Sequence, residues 1–288
     1  VRDPFVALLK YIEPGTRVSL IYFGHSLISP YQYSSQDLFP HSYDESSPKA
    51  PFRLSQFAQE IKKTGIRYES ISFFSCRMSS IEVLTALSPY TDYVLANAYP
   101  TSHKAWWASF TFMEELHEAD TTEEMLRKIL FVNRLNSQKN LQTGRYLRAS
   151  HHWNYFRLSY VKPFNQALEE VWQYIYRAFI AEKRFQDLAD LMELSKPSGN
   201  WEKHLMEGID LGKFLLNLSI SGISEAPSSV KAALDLMITP EALLAEPYNG
   251  KDDSGLWMVS RFSELFKEEY ASLNFPTFIY FLPLKRFQ

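Results

Sequence analysis

Three short apolar runs constrain this chain most: Val18-Ser19-Leu20-Ile21-Tyr22-Phe23, the stretch from Tyr68 to Ser75, and Tyr93-Val94-Leu95-Ala96. Runs of this length, rich in Val, Ile, Phe and Tyr, read as strands, and their near-continuous apolar character marks strands buried on both faces. Helical patterns lie between them. Ser55 reads as an N-cap, with Phe57, Ala58 and Ile61 on one face and Gly65 as the stop. A second helix opens at Ser79-Ser80 and carries Ile81, Leu84 and Leu87. Strands alternating with helices predict an α/β fold whose mainly parallel sheet is covered on both sides. A further helix over 4–12, ending near Pro14-Gly15, precedes the first run.

In such sheets functional groups gather beyond the carboxyl ends of the strands. His25 follows the first run, Cys76 the second and Asn97 the third, so these three are the candidates. Cys76 is the only cysteine in the chain, which excludes an intrachain disulfide. A thiol is mostly protonated near neutral pH, and an imidazole on the neighbouring strand end would supply the thiolate needed for nucleophilic attack. Taken singly, a Cys is more often inert filler and a His more often a hydrogen-bonded structural residue. Their joint placement is what points to chemistry.

Between His25 and Ser55 the sequence has no helical or strand period and is rich in Ser, Pro and Tyr, including Pro30, Tyr33, Pro40, Tyr43, Pro48 and Pro51. It reads as a long loop of the kind that is usually functional or mobile. From Thr121 the pattern turns helical. Thr121-Thr122-Glu123-Glu124 is a capping box, and Phe164, Leu168, Val171 and Ile175 form one stripe. The chain therefore divides into an α/β core over 1–120 and a mostly helical unit over 121–288 packed upon it. Residues 255–258 and 275–281 read as late strands or partly buried turns.

Acids and bases nearly balance, with a formal charge of −3, and no dense Lys/Arg run offers the basic face that a nucleic acid requires. Nor does any stretch approach the roughly 20 apolar residues of a membrane span. Val1-Arg2-Asp3-Pro4 is unlike a signal peptide, and the immediate onset of a helix suggests a chain cut from something longer. Other constellations are weaker. Gly24-His25-Ser26 lacks the second glycine of a nucleophile elbow, and the adjacent His151-His152 would diverge rather than share a metal. Trp106-Trp107 either line a cleft or pack in a core, and Asp252-Asp253 and Asp44-Glu45 read as solvated loop acids.

The run from Ile71 through Cys76-Arg77-Met78-Ser79-Ser80 to Val83, continued by Leu87 to Ala96, resembles the cysteine motif of the clostripain-like peptidases. There a strand ends in Phe-Asp-Ala-Cys-Leu-Met, and a Glu-bearing helix and a second strand follow. Gly15 to His25 resembles the family's strand leading to its catalytic His-Gly. Gly208-Ile209-Asp210-Leu211-Gly212-Lys213-Phe214 and Gly255-Leu256-Trp257-Met258 resemble its C-terminal Asp-Leu and Gly-Leu segments.

The resemblance implies a caspase-like α/β/α sandwich, peptide or protein substrates, frequent self-processing and a secreted or extracytoplasmic setting. It implies Cys76 as nucleophile, His25 as general base and then acid, and the N–H groups of Ser26 and Cys76 as oxyanion donors. The chemistry requires no cofactor; calcium enters only because some relatives depend on it. Relatives also carry strands before the segment matching residues 4–12, which implies an N-terminal portion missing here.

Three positions depart from the family. Phe74 stands where an Asp helps to hold a basic P1 side chain, so Phe74 together with Asn97 is the candidate substrate-binding pair and strict Arg/Lys specificity is not expected. Ser26 replaces a Gly and Arg77 an apolar residue; the Arg77 cation either faces the thiol and lowers its pKa or points away. The alternative to an enzyme is a catalytically degenerate caspase-like domain that binds protein.

Overall fold

The computed structural model describes residues 12–13, 15–23, 25–27, 41–43, 54–75, 78–98, 117, 120–141, 153–196, 208–221, 227–246, 248–250 and 253–259. In chain order the elements begin with β1 (Ser19–Phe23), β2 (His25–Leu27), β3 (His41–Tyr43), α1 (Leu54–Lys63) and β4 (Tyr68–Phe74). α2 (Ile81–Leu87), β5 (Thr91–Asn97), α3 (Thr122–Leu141) and β6 (Trp153–Arg157) follow. α4 (Val161–Ile175) runs through a π-helical turn (Tyr176–Ala181) toward α5 (Phe185–Leu194). β7 (Gly208–Asp210), α6 (Leu211–Ile220), α7 (Ser228–Ile238) and β8 (Trp257–Val259) complete the described chain.

The main sheet has the order β1-β4-β5-β6, with β1, β4 and β5 parallel and β6 antiparallel to β5. Because side chains alternate along a strand, each strand supplies two faces. Leu20, Tyr22, Ile71, Phe73, Val94, Ala96 and Phe156 join the larger cluster. Ile21, Phe74, Leu95, Trp153 and Tyr155 join the smaller. The larger cluster is closed by Phe57, Ala58 and Ile61 of α1, Ile81, Leu84 and Leu87 of α2, and the Phe164 stripe of α4. Leu126, Ile129 and Leu130 of α3 close the other. An α/β/α sandwich results, as the strand and helix pattern led one to expect.

Local chemistry explains where the helices start and stop. Gly65 takes a φ of 66°, a left-handed conformation cheap only for glycine, directly after α1. The Ser80 side chain accepts the Val83 N–H at 3.3 Å and caps α2. At α3 the capping box is complete: Thr121 Oγ1 accepts the Glu124 N–H at 3.2 Å and Glu124 Oε2 accepts the Thr121 N–H at 2.8 Å.

Two elements differ from the sequence expectation. The segment read as a loop contains the short antiparallel pair β2–β3, with His25 opposite Tyr43 and Ser26 opposite Ser42. β6 comes from beyond position 120, so the sheet draws on both regions of the chain. The helix at 4–12 and the run at 275–281 lie outside the described residues, as does most of the loop.

The outer edge of β6 is covered. Arg157 N–H donates to the Leu243 carbonyl (2.9 Å) and Ala245 N–H to the Tyr155 carbonyl (3.0 Å). The Arg157 guanidinium donates to the carbonyls of Ala242 (3.0 Å) and Leu244 (3.1 Å) and pairs with Glu123.

At the opposite end of the sheet from the strand carboxyl termini, Arg17 Nε donates to both Glu69 oxygens (2.8 and 2.9 Å), Nη1 to the Asp120 carbonyl (2.7 Å) and Nη2 to Thr122 Oγ1 (3.0 Å). The Arg17 hydrogen bond holds the Glu69 carboxyl below the usual carboxylate range, against the opposing effect of its partial burial. A carboxylate depressed in the fold adds stability above its unfolded pKa and loses it as pH falls through its folded pKa. The stability difference between the unmodified protein and Glu69→Gln should therefore be full at neutral pH and fade in acid below about pH 4. It should not exceed about 1 kcal/mol, because the pair is solvent-accessible. Urea titrations across this range check it; a difference independent of pH would contradict it.

Candidate active site

β1 and β4 pair in register, Ser19 with Ser70 through to Phe23 with Phe74. The last residues of two adjacent parallel strands thus stand side by side. His25 comes two residues after Phe23 and opens β2; Cys76 comes two residues after Phe74. His25 and Ser26 are described as backbone only, and Cys76 and Arg77 lie outside the described residues, as do Trp106-Trp107, His151-His152, Asp44-Glu45 and Asp252.

Phe74 is fully buried. Its ring lies 5.3 Å from that of Trp153, centroid to centroid, within the cluster closed by α3. Trp153 is paired with Asn97, the last residue of β5. Asn97 is itself buried, and its carbonyl accepts the Ser79 N–H at 3.3 Å. Among the described residues, the ends of β4 and β6 are therefore packed together through the rings of Phe74 and Trp153.

Just past Cys76 the chain is gripped. Ser79 donates its hydroxyl to the Gly255 carbonyl and accepts the Trp257 N–H on its own carbonyl at 3.0 Å. Ser80 forms a parallel bridge with Trp257. The gripping segment is held in turn by β7, antiparallel to β8, with Asp210 opposite Trp257. Asp210 is fully buried and uses both oxygens: Oδ1 accepts the Lys213 N–H at 3.0 Å, capping α6, and Oδ2 accepts the Gly255 N–H at 3.1 Å. Burial pushes the Asp210 carboxyl up from its ordinary range, while the N–H of Lys213 and the donors of Ser254 and Gly255 draw it back. Beside it, Lys213 pairs with Asp253. The Asp253 side chain is buried in that pair, which corrects its reading as a solvated loop acid: the Lys213 cation offsets the cost of taking its charge out of water.

Sequence reasoning passed over Asp210, Ser79 and Trp153 as individual residues. Asp210 carried a readable signal, an Asp directly before Leu211-Gly212-Lys213-Phe214-Leu215, which is an N-cap pattern. Trp153 carried none, and the helix-opening signal of Ser79-Ser80 belongs to Ser80, the cap, whereas Ser79 owes its place to partners remote in sequence. Among the described residues no group of three or more His, Cys, Asp or Glu is placed to hold a metal ion.

Comparison with solved structures relates this arrangement to others. A secreted C11 cysteine protease from Bacteroides thetaiotaomicron matches with a TM-score of 0.55 at 13% identity, over 95% of this chain and 75% of its own. The fold is that of the C11, clostripain-like, cysteine proteases. An inactive zymogen C11 protease from Parabacteroides distasonis matches at 0.53 with 12% identity, over 95% of this chain and 73% of its own. A cysteine protease of B. fragilis reaches 0.50 at 12% identity, over 81% and 96%. No family model and no curated protein matches the sequence. The likeness to C11 proteases is thus one of fold, and it agrees with the caspase-like sandwich that the sequence resemblance implied.

The packing of the C11-type fold around the gripping segment generates a prediction. Gly212 donates its N–H to Ser254 Oγ at 3.2 Å, and a Cβ added there would stand 2.5 Å from Ser254 Cβ and 2.9 Å from the Tyr248 ring. Gly212→Ala should destabilise the fold by about 1–3 kcal/mol through overpacking. An unshifted urea midpoint would show that Ser254 yields without cost.

Proposed function

We propose that this chain is a cysteine endopeptidase working through a His25/Cys76 dyad. The observation that carries the reading is the in-register end of β1 and β4, Phe23 beside Phe74, in a sheet of the C11 type. It supports a common exit point for the two candidate residues at the carboxyl edge of a parallel sheet, where such sheets carry function.

In this mechanism the Cys76 thiolate, formed by proton transfer to His25, attacks the scissile carbonyl carbon. The carbonyl π electrons move to oxygen, and the resulting oxyanion is held by the N–H groups of Ser26 and Cys76. Collapse expels the amine, which takes the proton from the His25 imidazolium. Water, deprotonated by His25, then cleaves the thioester and restores the thiol. Each step keeps charge within a pair of neighbouring groups. An extracytoplasmic setting goes with the reading, since one neighbour of the same fold is a secreted protease.

Specificity follows from Phe74. A pocket that takes Arg or Lys needs a carboxylate, because an unpaired buried cation costs several kcal/mol. Phe74 cannot supply one, and it is packed against Trp153 in an apolar cluster. Phe74 is fully buried and so bears on P1 through the charge it does not supply rather than by touching substrate, which favours a peptide with an apolar or aromatic P1 residue, or one bound without P1 selection.

Cys76→Ala should abolish peptide cleavage while leaving thermal stability nearly unchanged; turnover equal to that of the unmodified protein would remove the proposal. A peptide library cleaved chiefly after Arg or Lys would overturn the P1 assignment alone. If the unmodified protein cleaves nothing and its thiol reacts no faster than free cysteine, the fold serves as a caspase-like pseudoenzyme instead.

A further inference from the structure

The geometry points to Asp210 and Ser79 as positioning residues: a buried latch, running from the start of α6 through Gly255 to Ser79, that fixes the segment between β4 and α2 in which Cys76 stands. The inference rests on the reading of Cys76 as the nucleophile.

Two links make the latch. Asp210 Oδ2 accepts the Gly255 N–H at 3.1 Å, and the Gly255 carbonyl accepts the Ser79 hydroxyl. The remaining polar groups of Ser79 are also engaged, its N–H with the Asn97 carbonyl and its carbonyl with the Trp257 N–H. Ser79 is thus tied to the end of β5 on one side and to residues 255–257 on the other, three positions after Cys76. Ser75, one position before Cys76, and Met78, two after it, are both buried. The chain is thus held on both sides of Cys76.

The chemistry of Asp210 indicates that capping alone does not account for it. An N-cap needs one acceptor, and Ser serves about as well as Asp. A carboxyl group enclosed in protein carries a desolvation cost that a hydroxyl avoids. What the carboxyl adds is a second oxygen, and here that oxygen meets Gly255, the residue whose carbonyl Ser79 holds. Lys213 and Asp253 face the same turn and pair with each other, so the Lys213 charge is directed at Asp253.

The test uses the single thiol as its probe. Asp210→Ser retains a cap for α6 but is too short to reach Gly255, and Ser79→Ala removes the other link. Leu218→Ala, in the buried face of α6 with no part in either link, serves as a control for general loosening. For each variant the rate of iodoacetamide alkylation of Cys76 is followed from pH 5 to 9, alongside thermal unfolding and steady-state peptide cleavage. Both latch variants should move the alkylation midpoint upward and slow alkylation near neutrality, and kcat should fall by roughly 10- to 100-fold with KM little changed. Leu218→Ala should lower the unfolding temperature and leave the alkylation profile in place. Latch variants that lose thermal stability yet alkylate like the unmodified protein would overturn the inference, and so would a control that shifts the profile equally. If Asp210→Ser fails to fold, Ser79→Ala decides alone. His25→Ala separates the two readings: an unchanged profile there with a shifted profile in Ser79→Ala would refute the dyad and keep the latch, and the reverse would keep the dyad and refute the latch.

Discussion

The parallel pairing of β1, β4 and β5 is the constraint from which the remaining architecture follows. A strand with neighbours on both sides and apolar residues on both faces has nowhere to place a charge except at its ends. β4 meets this condition over 70–72, where it pairs with both neighbours: Ile71 and Phe73 go to one core, Phe74 to the other, and the strand's one charge, Glu69, stands near its amino end. Polar groups are thereby driven to the strand ends, the Arg17–Glu69 pair to one edge and Asn97 with Ser79 to the other. The same condition demands helices on both faces, since neither cluster closes without α1, α2 and α4 on one side or α3 on the other.

That edge is not finished by the sheet itself. Residues 254–257 reach it from the far end of the chain, and β7, α6 and Asp210 hold them there. The later part of the chain is thus more than a cover for a finished core, because the hydrogen bonding of Ser79 is completed by Gly255, 176 positions away in sequence. Long-range closure of this kind is slow to form and cooperative once formed.

The sequence announced the strands and helices whose signals are local. Ser80, Gly65 and the Thr121–Glu124 box each end or begin a helix by chemistry contained within a few residues, and each stands where the pattern put it. The Phe164 stripe is likewise self-contained, and all four of its members are buried. β6 was missed because Trp-Asn-Tyr-Phe-Arg alternates only when both faces are known to be buried, which depends on α3 and α4 being in place. For the same reason Asp253 reads as an exposed acid until Lys213 is set beside it. Of the candidate site, the alignment of strand ends was legible in the apolar runs, whereas Trp153 and the ties of Ser79 depend on tertiary pairing alone.

The seal on the outer edge of β6 bears on how this protein can change over generations. Arg157 addresses the carbonyls of Ala242 and Leu244, and the strand addresses Leu243 and Ala245 through backbone groups. Main-chain recognition is indifferent to side-chain identity. The seal itself therefore leaves side-chain identity open, and it is the core, in which Leu243 and Leu244 are fully buried, that holds the 242–245 segment to apolar residues. A one-residue insertion or deletion would carry the carbonyls out of reach of Arg157, so the segment should accept exchanges among apolar residues of similar size and few gaps.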